Sequence, residues 1–350
     1  MTDNHKQTIS TKDLVNGVLR SIDREREREI ISRRFGLFER KETLEQIGEL
    51  LGITRERVRQ LEKAVMAKLK AAGKEHTITG IDEFQLKVLA LLEKSGQVMR
   101  ISDLTAKLVK ESDRVEQSRI AFLCSLCPDL LVINDDDNFY ASITSSNAFN
   151  EKSLKSSVGE IVEAIKKLDM PKPIEDVAKQ ASVDNVKQAE TLASISKQLA
   201  FLHGRWGLIK WPLVNPKNIR DKIYVVLKQH DKPMHFNEIA NSIQKSDFKR
   251  KDVTTQAIHN ELIKDKRFVL IGRGIYALKE WGYEKGTVAD IIGQVLREAN
   301  QPLHRDEIVK RVLKSRLVKE TTILLNLQGK PQFKRVAKAT YALEDNVAAE

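Results

Sequence analysis

Aromatic residues and cysteines are scarce in this chain. Aromatics make up 5% of its 350 residues, so its cores must be built mainly from aliphatic side chains. Two cysteines cannot supply a disulfide framework, which fits a reducing compartment and points to the cytoplasm. No apolar run approaches the roughly 18 residues needed to cross a bilayer, so no membrane association is expected. The opening MTDNHKQTIS lacks the apolar segment of a secretory signal. There is no Walker loop, HExxH, nucleophile elbow or spaced nuclease carboxylate cluster, so neither catalysis nor a cofactor or metal is expected. Cys124 and Cys127 form a lone CxxC inside the apolar run IAFLCSLC. Without four ligands or a βαβ context they read as buried free thiols.

What is present is charge, in soluble globular proportions. Charged residues are 31% and hydrophobic residues 41%, over a length that calls for two or more domains. The net charge of +11 is uneven. Residues 1–75 carry 17 basic and 13 acidic side chains, residues 76–150 carry 7 and 11, and residues 216–285 carry 15 and 9. Basic segments suit a polyanion, and the acidic second segment argues against a uniform nucleic-acid coat.

The stretch 43–70, TLEQIGELLGITRERVRQLEKAVMAKLK, reads as two helices joined by a tight turn. The first is apolar at Leu44, Ile47, Leu50 and Leu51, and Thr43 with Gln46 three positions on forms a capping-box pattern. Gly52 falls where the backbone needs positive φ, and Thr54 can cap the second helix. That helix lines up Val58, Leu61, Val65 and Leu69 on one face. Arg55, Glu56, Arg59, Gln60 and Lys63 lie off the stripe. This is a helix-turn-helix, whose second helix presents its first turns to base edges in the major groove. The charge run REREREIISRRF before it, with Ile30, Ile31 and Phe35 apolar, reads as a supporting helix. Residues 71–80 read as a linker.

Beyond residue 80 the chain repeats a unit of three helices and a β-hairpin. The openings are GQVMRISDL (96–104), MPKPIEDVA (170–178), DKPMHFNEIA (231–240) and NQPLHRDEIV (300–309). The closings carry Tyr140, Trp206, Tyr276 and Tyr341. Such spacing implies tandem copies of one small fold, and this order of elements is that of a winged helix. The third copy is clearest, with helices from 219, 237 and 253 and strands at 268–271 and 275–278 flanking Gly272-Arg273-Gly274. The acidic 135–138 turn of the first copy would repel a phosphate backbone, and 142–157 reads as a linker. The expected architecture is mainly α, with a helix-turn-helix at 1–75 and winged-helix modules at 80–143, 156–213, 217–281 and 286–345.

The segments RRFGL (33–37) and 43–69, above all RERVRQLE (55–62), resemble region four of bacterial RNA polymerase sigma factors. The resemblance implies reading of the −35 promoter element in double-stranded DNA and docking on the β flap of RNA polymerase core. It implies that Arg55, Glu56 and Gln60 face bases and that Arg57 and Arg59 face phosphates or neighbouring bases, with Lys63 on the same face. The chemistry agrees, because Arg pairs with guanine, Glu accepts from cytosine and Gln pairs with adenine. Only about 20 residues precede these helices, so the promoter-melting domain of a full sigma factor is expected to be missing.

KPMHFNEIA (232–240) and RFVLIGRGIYAL (267–278) resemble the HARE-HTH winged helix, the fold of the polymerase δ subunit's N-terminal domain. The fourth copy matches more weakly, through QPLHRDEIV and TYAL, and no long acidic tail follows. In the third copy, Thr255, Gln256, His259, Asn260, Lys264, Arg267 and Arg273 are candidate DNA contacts, with protein docking the competing role for this face. The sequence therefore reads as a DNA-binding transcription factor related to sigma region four. A δ-like polymerase accessory subunit and a targeting subunit of a restriction or defence complex are the alternatives.

Overall fold

The computed structural model describes residues 10–344 except 249 and 251. The segments read above for a secretory signal and for an acidic tail lie largely outside the described residues. The chain is mainly α and divides into two units, one up to Lys210 and one from Trp211.

The first unit opens with α1 (Thr11–Arg20), α2 (Glu25–Phe35), α3 (Leu44–Leu51) and α4 (Arg55–Lys74). Thr43 and Gln46 form the anticipated capping box on α3, Gly52 caps it with φ +62°, and the Thr54 hydroxyl accepts from Arg57 N at the start of α4. Ile30, Ile47 and Val58 make a small core inside this helix-turn-helix, closed by Leu44, Leu51, Ile53 and Leu61. Leu50 points out and is 54% exposed, because it lies off the face shared by Leu44, Ile47 and Leu51.

The first winged helix comprises α5 (Ile81–Lys94), β1 (Val98–Arg100), α6 (Ile101–Leu108), α7 (Arg114–Leu126), β2 (Leu130–Ile133) and β3 (Ser142–Ser145), with sheet order β1-β3-β2. Its core also takes in Val15, Val18 and Leu19 of α1, Ile31 of α2, and Val65 and Leu69 of α4. The helix-turn-helix and the first winged helix are therefore fastened by one continuous apolar core. Residues 71–74 belong to α4 instead of a linker, and buried Gly73 lets that helix meet the backbone of α7.

The second winged helix runs α8 (Glu151–Leu168), α9 (Ile174–Gln180), α10 (Val186–Ile195), β4 (Leu199–Leu202) and β5 (Arg205–Leu208). A single bridge from Lys172 to Trp206 stands where the other modules have a third strand. The 142–157 stretch is no linker outside its 146–150 connection. Ser142 and Thr144 are fully buried in β3, the Thr144 hydroxyl donates to Gln97 O at 2.8 Å, and Asn150 and Ser153 form the capping box of α8. Ser and Asn serve here as satisfied strand hydroxyls and a helix cap, which composition cannot distinguish from a linker.

In the second unit, α11 (Ile219–His230), β6 (Met234–His235), α12 (Phe236–Lys245), α13 (Thr255–Lys264), β7 (Phe268–Leu270) and β8 (Ile275–Leu278) form the third module, with sheet order β6-β8-β7. The fourth has α14 (Val288–Ala299), β9 (Leu303–His304), α15 (Arg305–Ser315), α16 (Glu320–Gly329), β10 (Phe333–Ala337) and β11 (Thr340–Leu343), with sheet order β10-β11-β9. His235 and His304 play the same part in both. Each caps the second helix, accepting from Asn237 N at 3.3 Å and Asp306 N at 3.4 Å.

Strand register corrects one repeat equivalence. Tyr276 pairs with Met234, Tyr341 with Leu303 and Trp206 with Lys172, whereas Met99 pairs with Ile143. Ile143, not Tyr140, is the first module's counterpart of the repeat aromatics. Tyr140 sits before β3 with the Arg100 guanidinium 4.0 Å from its ring centre. It is displaced because the connection from β2 to β3 reaches across to the second module. Tyr140 N donates to Ile195 O at 2.9 Å, Lys197 N to Asn138 O at 2.8 Å, and Lys197 Nζ pairs with Asp135 at 2.7 Å.

A Gly-to-Ala change inside a helix usually gains about 1 kcal/mol. At Gly73 the added Cβ would run into the Leu126 carbonyl. Gly73→Ala is expected to destabilise the first unit by about 1–3 kcal/mol, read as a lower urea midpoint of the full chain.

Candidate nucleic-acid interface

The apolar stripe of α4 points Val58, Val65 and Leu69 inward and leaves Arg55, Glu56, Arg57, Arg59, Gln60 and Lys63 exposed. At about 100° per residue, Glu56, Arg59, Gln60 and Lys63 centre on the face opposite the stripe, with Arg55 and Arg57 on its flanks. Arg59 holds Glu56 through two bonds, Nε to Oε2 at 2.8 Å and Nη2 to Oε1 at 2.7 Å. Arg59 accordingly keeps the Glu56 carboxyl below its usual range, and Glu56 raises Arg59. Arg55 pairs with Glu45 at 3.3 Å, and Arg57 Nη1 donates to the Gln60 side-chain Oε1 at 3.3 Å. These are exposed surface pairs, weak in water and screened by salt, so the side chains can exchange partners readily. The face carries donors and acceptors that match base edges and phosphates.

Exposed and half-buried arginines hold this face in place. Arg26 donates to the Leu51 carbonyl at the end of α3. Arg33 pairs with Glu29 at 3.0 Å and Glu42 at 2.9 Å, and Arg34 with Glu62 of α4 at 3.4 Å. The charge run of α2 is thus largely engaged within the fold. On α7, Arg119 donates to Leu37 O at 2.7 Å and pairs with Glu116, which also accepts from Thr11. Glu116 and Arg119 were not legible as site-positioning residues. Their partners lie 105 and 82 positions away in the chain, and no local pattern marks them.

The third helix of a winged helix is its usual reading element, yet one of the four is covered and a second packs against a neighbouring module. In α7 only Arg114 is exposed, because α1, α2 and α4 pack over the helix. In α10, Gln188 lies against Gly96 so closely that a Cβ there would meet the Gln188 backbone at 2.9 Å. Cys124 and Cys127 are buried in the first-module core, and burial pushes the Cys127 thiol up to about 12.

In the third module, Gln256, Asn260, Lys264 and Arg273 are exposed, and Thr255 is half-buried. Gln256 donates to Asn260 at 3.2 Å. His259 is packed between Phe236 and Tyr276, with ring centres 5.0 and 6.1 Å away. Arg267 is engaged by Asp265 at 2.8 Å and Asp221 at 3.3 Å. Burial works against the charged form of Asp265, but the hydrogen bonds from Arg267 outweigh it and hold the carboxyl below its usual range. His259 and Arg267 are thus committed to the module's own packing, whereas Gln256, Asn260, Lys264 and Arg273 face outward.

Residues 24–71 match the family described as Sigma-70, region 4, and residues 219–281 match HARE-HTH, the ASXL, restriction endonuclease HTH domain. The chain joins a sigma region-four domain to a HARE-HTH domain. It is 39% identical over 75 residues to RNA polymerase sigma factor RpoS of Coxiella burnetii, a stretch covering 21% of each protein. It is 50% identical over 46 residues to RNA polymerase sigma factor sigB of Arabidopsis thaliana, covering 13% of this chain and 8% of that one. The chain therefore spans about a fifth or less of the length of these sigma factors. Both matched families are helix-turn-helix domains, not catalytic ones. Among the described residues no helix is long and apolar enough to cross a membrane. The Sigma-70 region 4 match begins at α2 and leaves out α1, whose apolar face belongs to the first winged helix.

Arg119→Met would leave Glu116, 17% exposed, without its cation. The expected loss is about 3 kcal/mol. The Glu116→Gln/Arg119→Met double change should recover part of it in chemical denaturation of the full chain. Equal losses in both variants would show that the pair does not fasten the unit.

Proposed function

We propose that this chain is a DNA-binding transcription factor that reads −35-like promoter DNA through the first turns of α4 and associates with RNA polymerase. The observation that carries the reading is the exposed face of α4, set on two cores and matched to sigma region four. Arg55, Glu56 and Gln60 are assigned to bases, and Arg57, Arg59 and Lys63 to phosphates or neighbouring bases. Arg55 supplies a guanine fork, Glu56 an acceptor for cytosine and Gln60 an adenine pair. Binding requires Arg59 to exchange Glu56 for the DNA, which frees the carboxylate for a base. The reaction is recognition, with no bond made or broken.

The packing of the third helices of the first and second modules on neighbouring elements favours a scaffold role for them, since α7 keeps only Arg114 exposed and α10 is held at Gln188 against Gly96, with Val186, Lys187 and Glu190 left exposed. They would act as a rigid mount for α4, and polymerase association would be shared between region four and the second unit. A δ-like accessory role, in which the mount matters more than the reading, is the second form of this proposal.

Arg55→Ala/Glu56→Ala is expected to remove the preference for a −35-like duplex over a scrambled one, while non-specific binding persists. The loss expected is about 1–3 kcal/mol of discrimination for each base contact. Gel-shift competition at fixed salt measures it, and equal discrimination by mutant and parent would refute the assignment. Co-purification of the full chain with core polymerase after nuclease treatment tests the polymerase arm separately.

A further inference from the structure

The face of α13 that a winged helix would turn to DNA is partly apolar. Ile263 is 60% exposed on it, and Leu270 at the end of edge strand β7 is 45% exposed. With Leu262, Phe268 and Tyr276 they wall a groove of about 220 Å³, whose other side is Lys285, Gly286 and Arg316. Leu317, 55% exposed, continues the apolar surface, its carbonyl lying 3.5 Å from where a Gly272 side chain would begin. The volume is below the roughly 300–1,000 Å³ of small-molecule sites. It fits one or two anchoring side chains.

The two charged residues that line the groove, Lys285 and Arg316, are both basic, with the Asp290 carboxylate beside Gly286. Arg316 is half-buried at the end of α15, donates to the Gly286 carbonyl, and has a buried Nε without a hydrogen-bond partner. No carboxylate lies within ion-pair distance of Arg316 or Lys285 among the described residues. Asp290, the acid nearest in its influence on Arg316, is already held by Thr287 N at 2.7 Å and Thr287 Oγ1 at 2.8 Å. A half-buried guanidinium without a carboxylate is an unmet electrostatic demand, which a partner can satisfy from outside.

We infer that this groove is a docking site for an apolar–acidic peptide segment of a partner protein. One Leu- or Phe-like side chain lies between Ile263 and Leu270, and a neighbouring Asp or Glu pairs with Arg316. Phosphate groups would satisfy the cation but would leave Ile263, Leu270 and Leu317 without contact, so protein is favoured over nucleic acid as the occupant. The groove lies wholly in the second unit, and its test does not depend on region four reading DNA.

The probes are synthetic decapeptides in which Leu or Phe is paired with Asp or Glu, together with their Asn and Gln counterparts. They are titrated against the full chain and against the Arg316→Met and Ile263→Ser variants. Both positions are at least partly exposed, and unchanged urea midpoints confirm folding. Acidic peptides are expected to bind about tenfold more tightly than their amide counterparts and to lose about tenfold in each variant. Absence of binding, equal binding of amide and acid, or unchanged affinity in both variants would overturn the inference. Loss of duplex-DNA affinity in the same variants would also overturn it, by assigning the face to nucleic acid.

Discussion

The first unit depends on one helix serving two cores. The N-terminal half of α4 closes the small helix-turn-helix core through Val58, and its C-terminal half inserts Val65 and Leu69 into the first winged helix. A core of three fully buried side chains is too small to hold the helix-turn-helix in a fixed orientation, since each contributes only about 1.5–3 kcal/mol. Continuing the helix into a second core solves this. Gly73 permits the close approach that the arrangement needs, and Arg119 with Glu116 ties α7 to the segments on either side of α2. Any displacement of α4 would have to disturb both cores together.

The same logic explains what became of the winged helices. Three helices and a hairpin present one helix for outside contact, and in the first two modules that helix is used internally. The acidic turn of the first module, unsuited to phosphate, is tied to Lys197 and the end of α10. In the third module α13 remains open, but its outward face mixes Gln256 and Asn260 with Ile263. Repetition of one fold has thus produced a module that shares its core with the helix-turn-helix in the first unit and an open, partly apolar face in the second.

Features set by local chemistry were legible beforehand. The capping box at Thr43, the left-handed Gly52, the Thr54 cap and the apolar stripe of α4 all follow from spacing and residue type. So do the three helices and hairpin of the third module, because glycines and alternating apolar residues mark its strands. The readings of 71–80 and 142–157 as linkers hold only for the connections at 75–80 and 146–150, and fail elsewhere for a common reason. Small and polar residues appear both where a chain is free and where it is packed too closely for larger side chains. Gly73 and Thr144 are of the second kind. The Tyr140 equivalence failed because a lengthened hairpin connection shifts register by an amount that only strand pairing reveals.

The sequence alone determined the second helix of the helix-turn-helix, its caps, the side chains on its outer face and the recurrence of one small fold. Those depend on contacts within a few residues, where geometry follows from the backbone. Tertiary structure decided which of those faces remain available. Burial of α7, the packing of α10 on Gly96, commitment of Arg267 to Asp265 and Asp221, and the unpaired charge of Arg316 beside Ile263 all arise between segments distant in the chain. Exposure is a property of the assembled surface, and residue spacing carries no record of what packs against it.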